Sequence, residues 1–144
     1  MPGALQEVHA GPETVFEEID ERRLGRHLRQ AGIVAASGVY ALDHNIERLA
    51  EDHARARRLA EAWAEQGLPV DLERVQTNFV HLDASALSLG EWEAVGLVRD
   101  VGVAISRTMR PGFLRAVTHL DLTDEDIDRA AALVPQALGA YVPA

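Results

Sequence analysis

Hydrophobic positions recur at helical spacing through "IERLAEDHARARRLAEAWAEQG" (46–67), where Ile46, Leu49, Ala50, His53, Ala56, Leu59, Ala60 and Trp63 stand three or four residues apart. That spacing predicts an amphipathic helix, which Gly67 and Pro69 stop. Upstream, "LRQAGIVAASGVYALDH" (28–44) is apolar nearly all round and predicts a helix buried on more than one side. Its small residues Ala31, Gly32, Ala35, Ala36 and Gly38 would let another backbone approach closely, which points to packing against a partner. Asp43 to Asn45 breaks the chain between these two helices. "ETVFEEIDERRLGRHLRQ" (13–30) is compatible with an earlier helix behind Pro12, with acids in its first turns and arginines after them. Residues 1–11 have no clear period and read as a lead-in.

Alternation takes over farther along. "VQTNFVHLD" (75–83) predicts a strand, "VGVAISR" (101–107) a short one, and "FLRAVTHLDL" (113–122) a long one. In the last, Arg115, Val117, His119 and Asp121 face one way, and Ala116, Thr118, Leu120 and Leu122 the other. Arg110-Pro111-Gly112 is a turn, so the two final strands should pair antiparallel. Ser88-x-x-Glu91 has the pattern of a capping box for a helix through Trp92, Val95 and Val98. Thr123-x-x-Asp126 opens a last helix carrying Ile127, Ala131, Val134 and Leu138. The expected order is helix, helix, strand, helix, strand, strand, helix. This is an α+β fold, a small antiparallel sheet with helices over one face.

Composition narrows the chemistry. The chain has 144 residues, 47% of them apolar, enough for a folded core. Fourteen basic against twenty-three acidic residues give a formal charge of −9, which argues against nucleic acid and anionic membrane surfaces as partners. No apolar run suits a membrane span and no secretory signal opens the chain, so a cytoplasmic location is expected. There is no cysteine, hence no disulfide, thiolate metal site or cysteine nucleophile in these residues. All fourteen basic residues are arginine. Arginine keeps its proton and forms no Schiff base, so amine chemistry must come from another chain or domain.

The six histidines do not form a metal motif. His81-x-Asp83 and His119-x-Asp121 pair two ligand types, but no HxxxH or HExxH spacing occurs, and no metal site is expected. Ser37, Ser85, Ser88 and Ser106 lack a G-x-S-x-G elbow. Arg115 is the best anion-binding candidate, because a guanidinium on a strand can grip a carboxylate with two parallel bonds. An ion pair with one of the many acids is the competing reading.

Two segments taken together, "LRQAGIVAASGVYALDHNIERLAEDHARARRLAE" (28–61) and "LRAVTHLDLTDEDIDRA" (114–130), resemble the C-terminal part of the pyridoxal-phosphate-dependent threonine aldolases, in the aromatic amino-acid β-eliminating lyase family. "VQTNFVHLD" (75–83) resembles the small-domain strand between them, and "AGPETVFEEIDERRLG" (10–25) is a looser match. The resemblance implies that residues 12–144 form the C-terminal small domain of a fold-type I pyridoxal phosphate enzyme. It implies assembly into oligomers, a large domain whose lysine holds the coenzyme, and retro-aldol cleavage of a β-hydroxy amino acid such as threonine to glycine and acetaldehyde. The pyridine ring would act as electron sink. Arg115 falls at the position that grips the substrate carboxylate. Arg29 matches a family arginine near the coenzyme, and Arg22 stands where a basic residue is common. One departure is "GRHLRQ" (25–30), where the family usually reads G-G-G-M-R-Q. The chain starts just after the point at which the family's lysine would stand, so a separate large-domain chain, or another copy, is the expected partner. The alternative function is a non-catalytic remnant or a protein–protein interaction module of the same fold.

Overall fold

The computed structural model describes residues 31–87 and 89–139. The chain divides into two compact units between His44 and Asn45. The described part of the first is helix α1 (Ala31–His44). Ser37 Oγ donates to Ile33 O at 3.0 Å, and the His44 ring stacks on Tyr40 with centroids 4.1 Å apart. None of its residues is buried, and Ile33, Val34, Val39, Tyr40 and Leu42 are exposed. The expected burial on several sides is therefore not met in this chain. Apolar patterning reports a preference for apolar surroundings and does not supply them.

The second unit holds, in order, α2 (Leu49–Glu65), β1 (Phe79–Asp83), α3 (Glu91–Asp100), β2 (Ser106–Arg107), β3 (Phe113–Val117) and α4 (Asp124–Ala137), with 3₁₀ turns at Leu72–Arg74 and Ala84–Ala86. With α1, this is the predicted order of elements. The sheet runs β1-β3-β2, antiparallel throughout, so the last strand in sequence is central. Alternation sends Val80, Leu82, Leu114 and Ala116 to one face, where they are buried with Leu59, Ala60 and Trp63 of α2, Ala94 and Val98 of α3, and Ile127 and Val134 of α4. The α+β architecture with helices over one face holds. Trp63 ties the helices together, because its Nε1 donates to Ala130 O at 3.2 Å.

Local bonds shorten the predicted strands. β1 starts at Phe79 rather than Val75, because the 3₁₀ turn before it keeps Val75 N bonded to Leu72 O. β2 is two residues long, since Gly102, at φ 82, turns the chain after α3. β3 ends at Val117. Thr118 still donates from its backbone to Asn78 O at 3.0 Å, but Leu122 N then bonds His119 O and closes a turn. His119 and Asp121 therefore leave the strand, and Leu120 is exposed instead of packed inward. Thr118 is the reason the strand stops there, being buried with Oγ1 donating to Asp52 O at 2.7 Å.

Helix α4 has the predicted capping box, with Thr123 and Asp126 each bonding the other's backbone N–H. Helix α3 does not. It opens at Glu91 with Gly90 in the cap position and no side-chain cap bond, and Ser88 lies outside the described residues. Glu91 is occupied elsewhere, accepting from Arg107 Nε at 2.6 Å and from Gly112 N at 2.5 Å. Gly112 sits at φ 84, a conformation that a side chain would strain, and the turn before β3 depends on it.

Candidate functional site

The uncovered face of the sheet follows from register alone. Residues directly opposite in an antiparallel pair share a face. Phe79 lies opposite Val117, His81 opposite Arg115, and Asp83 opposite Phe113, while Ser106 of β2 meets Arg115 from the other side. Arg115 is thus in the middle row of the central strand, flanked by both neighbours. Leu114 and Ala116 beside it in sequence are buried in the core, which fixes the backbone from which Arg115 projects.

Arg115 is half-buried. Its Nε is enclosed and has no hydrogen-bond partner. No carboxylate among the described residues forms an ion pair with it. The ion-pair alternative therefore finds no acid among the described residues. Its Cζ stands 5.2 Å from the centre of the Phe79 ring. A cation over an aromatic face gains about 0.5–2 kcal/mol. An unsatisfied enclosed donor costs about 1–3 kcal/mol, so an incoming acceptor has something to gain.

Two further cations line a cleft with His81. Arg74, at the end of the Leu72–Arg74 turn, and Arg110, in the β2–β3 turn, are both exposed. Arg110 stacks on the Phe113 ring at 4.1 Å. A cleft of about 330 Å³ is bounded by Arg74, His81, Thr108, Arg110 and Phe113, and a wider one of about 600 Å³ adjoins it along Pro69, Val70, Asp71 and Asp83. His81 is exposed overall, yet partial loss of hydration, followed by the charges of Arg115 and Arg74, lowers its pKa below the ordinary histidine value. At neutral pH this favours the uncharged ring. The apolar cavity of about 300 Å³ beside Trp63, Val103 and Thr118 does not include Arg115.

Of the residues singled out from sequence, Arg115 stands on this face, whereas Arg22 and Arg29 lie outside the described residues. His119 stands apart from it in the turn after β3, where its Nδ1 is 3.4 Å from Asp121 N and 3.7 Å from the Asp121 carboxylate. No cluster able to hold a metal ion occurs among the described residues, and no described helix is long and apolar enough to cross a membrane. Reading the sequence alone missed His81 as the partner opposite Arg115, and Arg74 and Arg110 as residues that share a cleft with His81. His81 was in phase with the outward positions of its strand, but only the strand register places it opposite Arg115.

Comparison with known proteins gives a consistent answer. Residues 18–86 match the family described as beta-eliminating lyase. The chain is 38% identical over 111 residues to the "Low specificity L-threonine aldolase" of Escherichia coli (strain K12), covering 75% of this chain and 30% of that protein. It is 33% identical over 111 residues to the "Probable low-specificity L-threonine aldolase 2" of Arabidopsis thaliana, with 74% and 30% covered. The "Low-specificity L-threonine aldolase 1" of the same plant is 28% identical over 135 residues, with 91% and 37% covered. The chain thus spans between 30% and 37% of these relatives' length.

Proposed function

The chain belongs to the threonine aldolase and β-eliminating lyase family, and from that membership we propose that it is the carboxylate-gripping small domain of a pyridoxal phosphate-dependent lyase acting on β-hydroxy amino acids. The single observation that carries this reading is Arg115, whose enclosed Nε has no partner. It is a fixed cation held in the middle of a sheet with an open donor.

A substrate carboxylate on Arg115 would satisfy that donor and pair with the charge. A two-pronged bond also fixes the plane of the carboxylate, and with it the direction of the bonds at the α-carbon. The central strand serves this purpose well. Its backbone is bonded on both edges, and its other face is locked in the core, so the guanidinium has little freedom to drift.

Pyridoxal phosphate itself does not fit the described residues as a covalently held group. The 144 residues contain no lysine to supply the amine. The orphan donor on the open face suits a carboxylate. The amine is therefore assigned to a large domain outside these 144 residues, and the reaction, threonine to glycine and acetaldehyde, to the assembly. Helix α1, with its exposed apolar side chains and small residues, is the surface offered to such a partner.

The test is a titration of this chain with threonine, followed by side-chain NMR of the arginine Nε–H groups. Threonine should shift the Arg115 signal saturably, whereas 1-amino-2-propanol, which lacks the carboxylate, should not. Arg115→Gln should weaken threonine binding by about tenfold or more, the loss expected for a charge-assisted two-pronged bond. Equal binding of both compounds, or unchanged binding to the variant, overturns the reading. Carboxylate binding without aldehyde release in any reconstitution with a large-domain chain would favour the non-catalytic module.

A further inference from the structure

Arg115 does not account for the whole open face. Five arginines elsewhere in the unit pair with carboxylates, whereas Arg99 and Arg129, like Arg74 and Arg110, form no ion pair with a described residue. Arg48 pairs with Glu51, Arg55 with Asp124, Arg57 with Glu61, Arg58 with Asp128 and Arg107 with Glu91. Arg74 and Arg110 line one cleft, and neither pairs with a carboxylate of a described residue. What sets Arg74 and Arg110 apart is that they line one cleft together, with His81 between the same walls. Two acids stand in the adjoining cleft, but each carboxylate is engaged in a turn. Asp71 Oδ1 accepts from Glu73 N at 3.1 Å, and Asp83 Oδ1 from Ser85 N at 3.0 Å.

The cleft is also built. Arg110 is steadied from two sides. Its guanidinium lies on the Phe113 ring, and its backbone N and O both bond Thr108 Oγ1, at 3.2 and 2.7 Å. Arg74 ends a 3₁₀ turn in which its N–H bonds Asp71 O at 3.2 Å. His81 lines the same cleft and is opposite Arg115 in register. Loss of hydration first, and then the charges of Arg115 and Arg74, lower the pKa of His81.

We propose that Arg74, His81, Thr108 and Arg110 form a second anion site, separate from Arg115, that takes a tetrahedral dianion of the phosphomonoester class. Two guanidinium forks, each permanently charged, offer more donors and more charge than one carboxylate can use. A phosphoryl group, with a charge approaching −2 and three terminal oxygens, matches both, and an N–H of the His81 ring can serve the remaining oxygen, while Thr108 holds the backbone of Arg110. Because the cleft is open to solvent, binding should weaken as salt rises.

The experiment titrates the full chain with inorganic phosphate, then with acetate and O-phosphoserine, at constant ionic strength, following arginine Nε–H and histidine ring signals by NMR. Phosphate should shift Arg74, Arg110 and His81 saturably, and acetate should not. The pair Arg74→Gln with Arg110→Gln should lose about tenfold or more in phosphate affinity, while Arg115→Gln should keep it within about twofold. Both replaced residues are exposed, and each single variant reads out the same loss if the pair folds poorly. If O-phosphoserine binds more tightly than phosphate and loses that gain in Arg115→Gln, the phosphate belongs to a phosphorylated amino acid spanning both sites, an arm that rests on the proposed role of Arg115. If it binds no better, free phosphate is the source. Absence of a saturable shift with phosphate, an equal response to acetate, or indifference to both arginine variants overturns the site. Failure here together with normal threonine binding would leave the role of Arg115 standing.

Discussion

Leu114 and Arg115 are adjacent on β3 and live in opposite surroundings. On the helix-covered face, apolar side chains are buried, and Thr118 and Trp63 are matched by Asp52 O and Ala130 O. Arg55 Nη1 of α2 lacks a hydrogen bond but keeps acids of its own helix within 4.0 Å. On the open face, an enclosed guanidinium nitrogen has no partner, and two further arginines share a cleft without a carboxylate. One face spends its chemistry on folding. The other leaves donors and charge available, at some expense to stability. A residue's contribution to the fold and its availability for binding are thus separated by the pleat of a single strand.

Mutations on the two faces should separate these contributions. The largest effect is expected from Trp63→Ala, which opens a cavity among three helices and strands the Ala130 carbonyl. A loss of about 3–5 kcal/mol in urea unfolding is expected. Leu114→Ala should follow at about 2–5 kcal/mol, since its side chain is fully enclosed between sheet and helices. Thr118→Val keeps the shape but removes the donor to Asp52 O, and should cost about 1–2 kcal/mol by the same measurement.

Arg115→Met tests the contrast in the other direction. Removing an unpaired donor and keeping the apolar stem should change stability by less than about 1 kcal/mol, or raise it, while threonine binding is lost. A loss as large as that of Leu114→Ala would mean that Arg115 belongs to the packing, and the two faces would not differ as described.

The gentlest probe is pH. Glu91 is held below the ordinary carboxylate range by its bond from Arg107 and then by that from Gly112 N, Asp124 by Arg55, and Asp126 by the backbone and hydroxyl of Thr123. Lowered native values mean that this stabilisation is present above the ordinary carboxylate pKa and fades as pH falls through the depressed values. Thermal melting should therefore shift downward on acidification below about pH 4. Glu91→Gln should flatten part of that dependence, and it should do so without altering phosphate or threonine binding at neutral pH.

Much of the fold was legible in the sequence. The run from Ile46 to Trp63 carried its helical period openly, Thr123 and Asp126 announced the last helix, and Arg110-Pro111-Gly112 announced the hairpin. Strand limits were less legible. The alternation past Val117 looked continuous, but a buried hydroxyl at Thr118 and a backbone turn at Leu122 end the strand. Ser88 and Glu91 had the right spacing for a cap, yet Glu91 found stronger partners in Arg107 and Gly112, which no local pattern contains. The apolar character of α1 was plain in the sequence. Its exposure in this chain was not, because burial requires a second surface.

By itself the sequence determined the helical and alternating periods, the absence of any lysine or cysteine, and the candidacy of Arg115, because each of these is written in residue type and spacing along one chain. Tertiary structure decided that β3 is central, that His81 lies opposite Arg115, and that Arg74 and Arg110 share a cleft with His81. Those facts depend on which strand pairs with which, and in what register. Register is settled by burying Val80, Leu82, Leu114 and Ala116 together. The core thus chose the neighbours of a site in which it takes no chemical part.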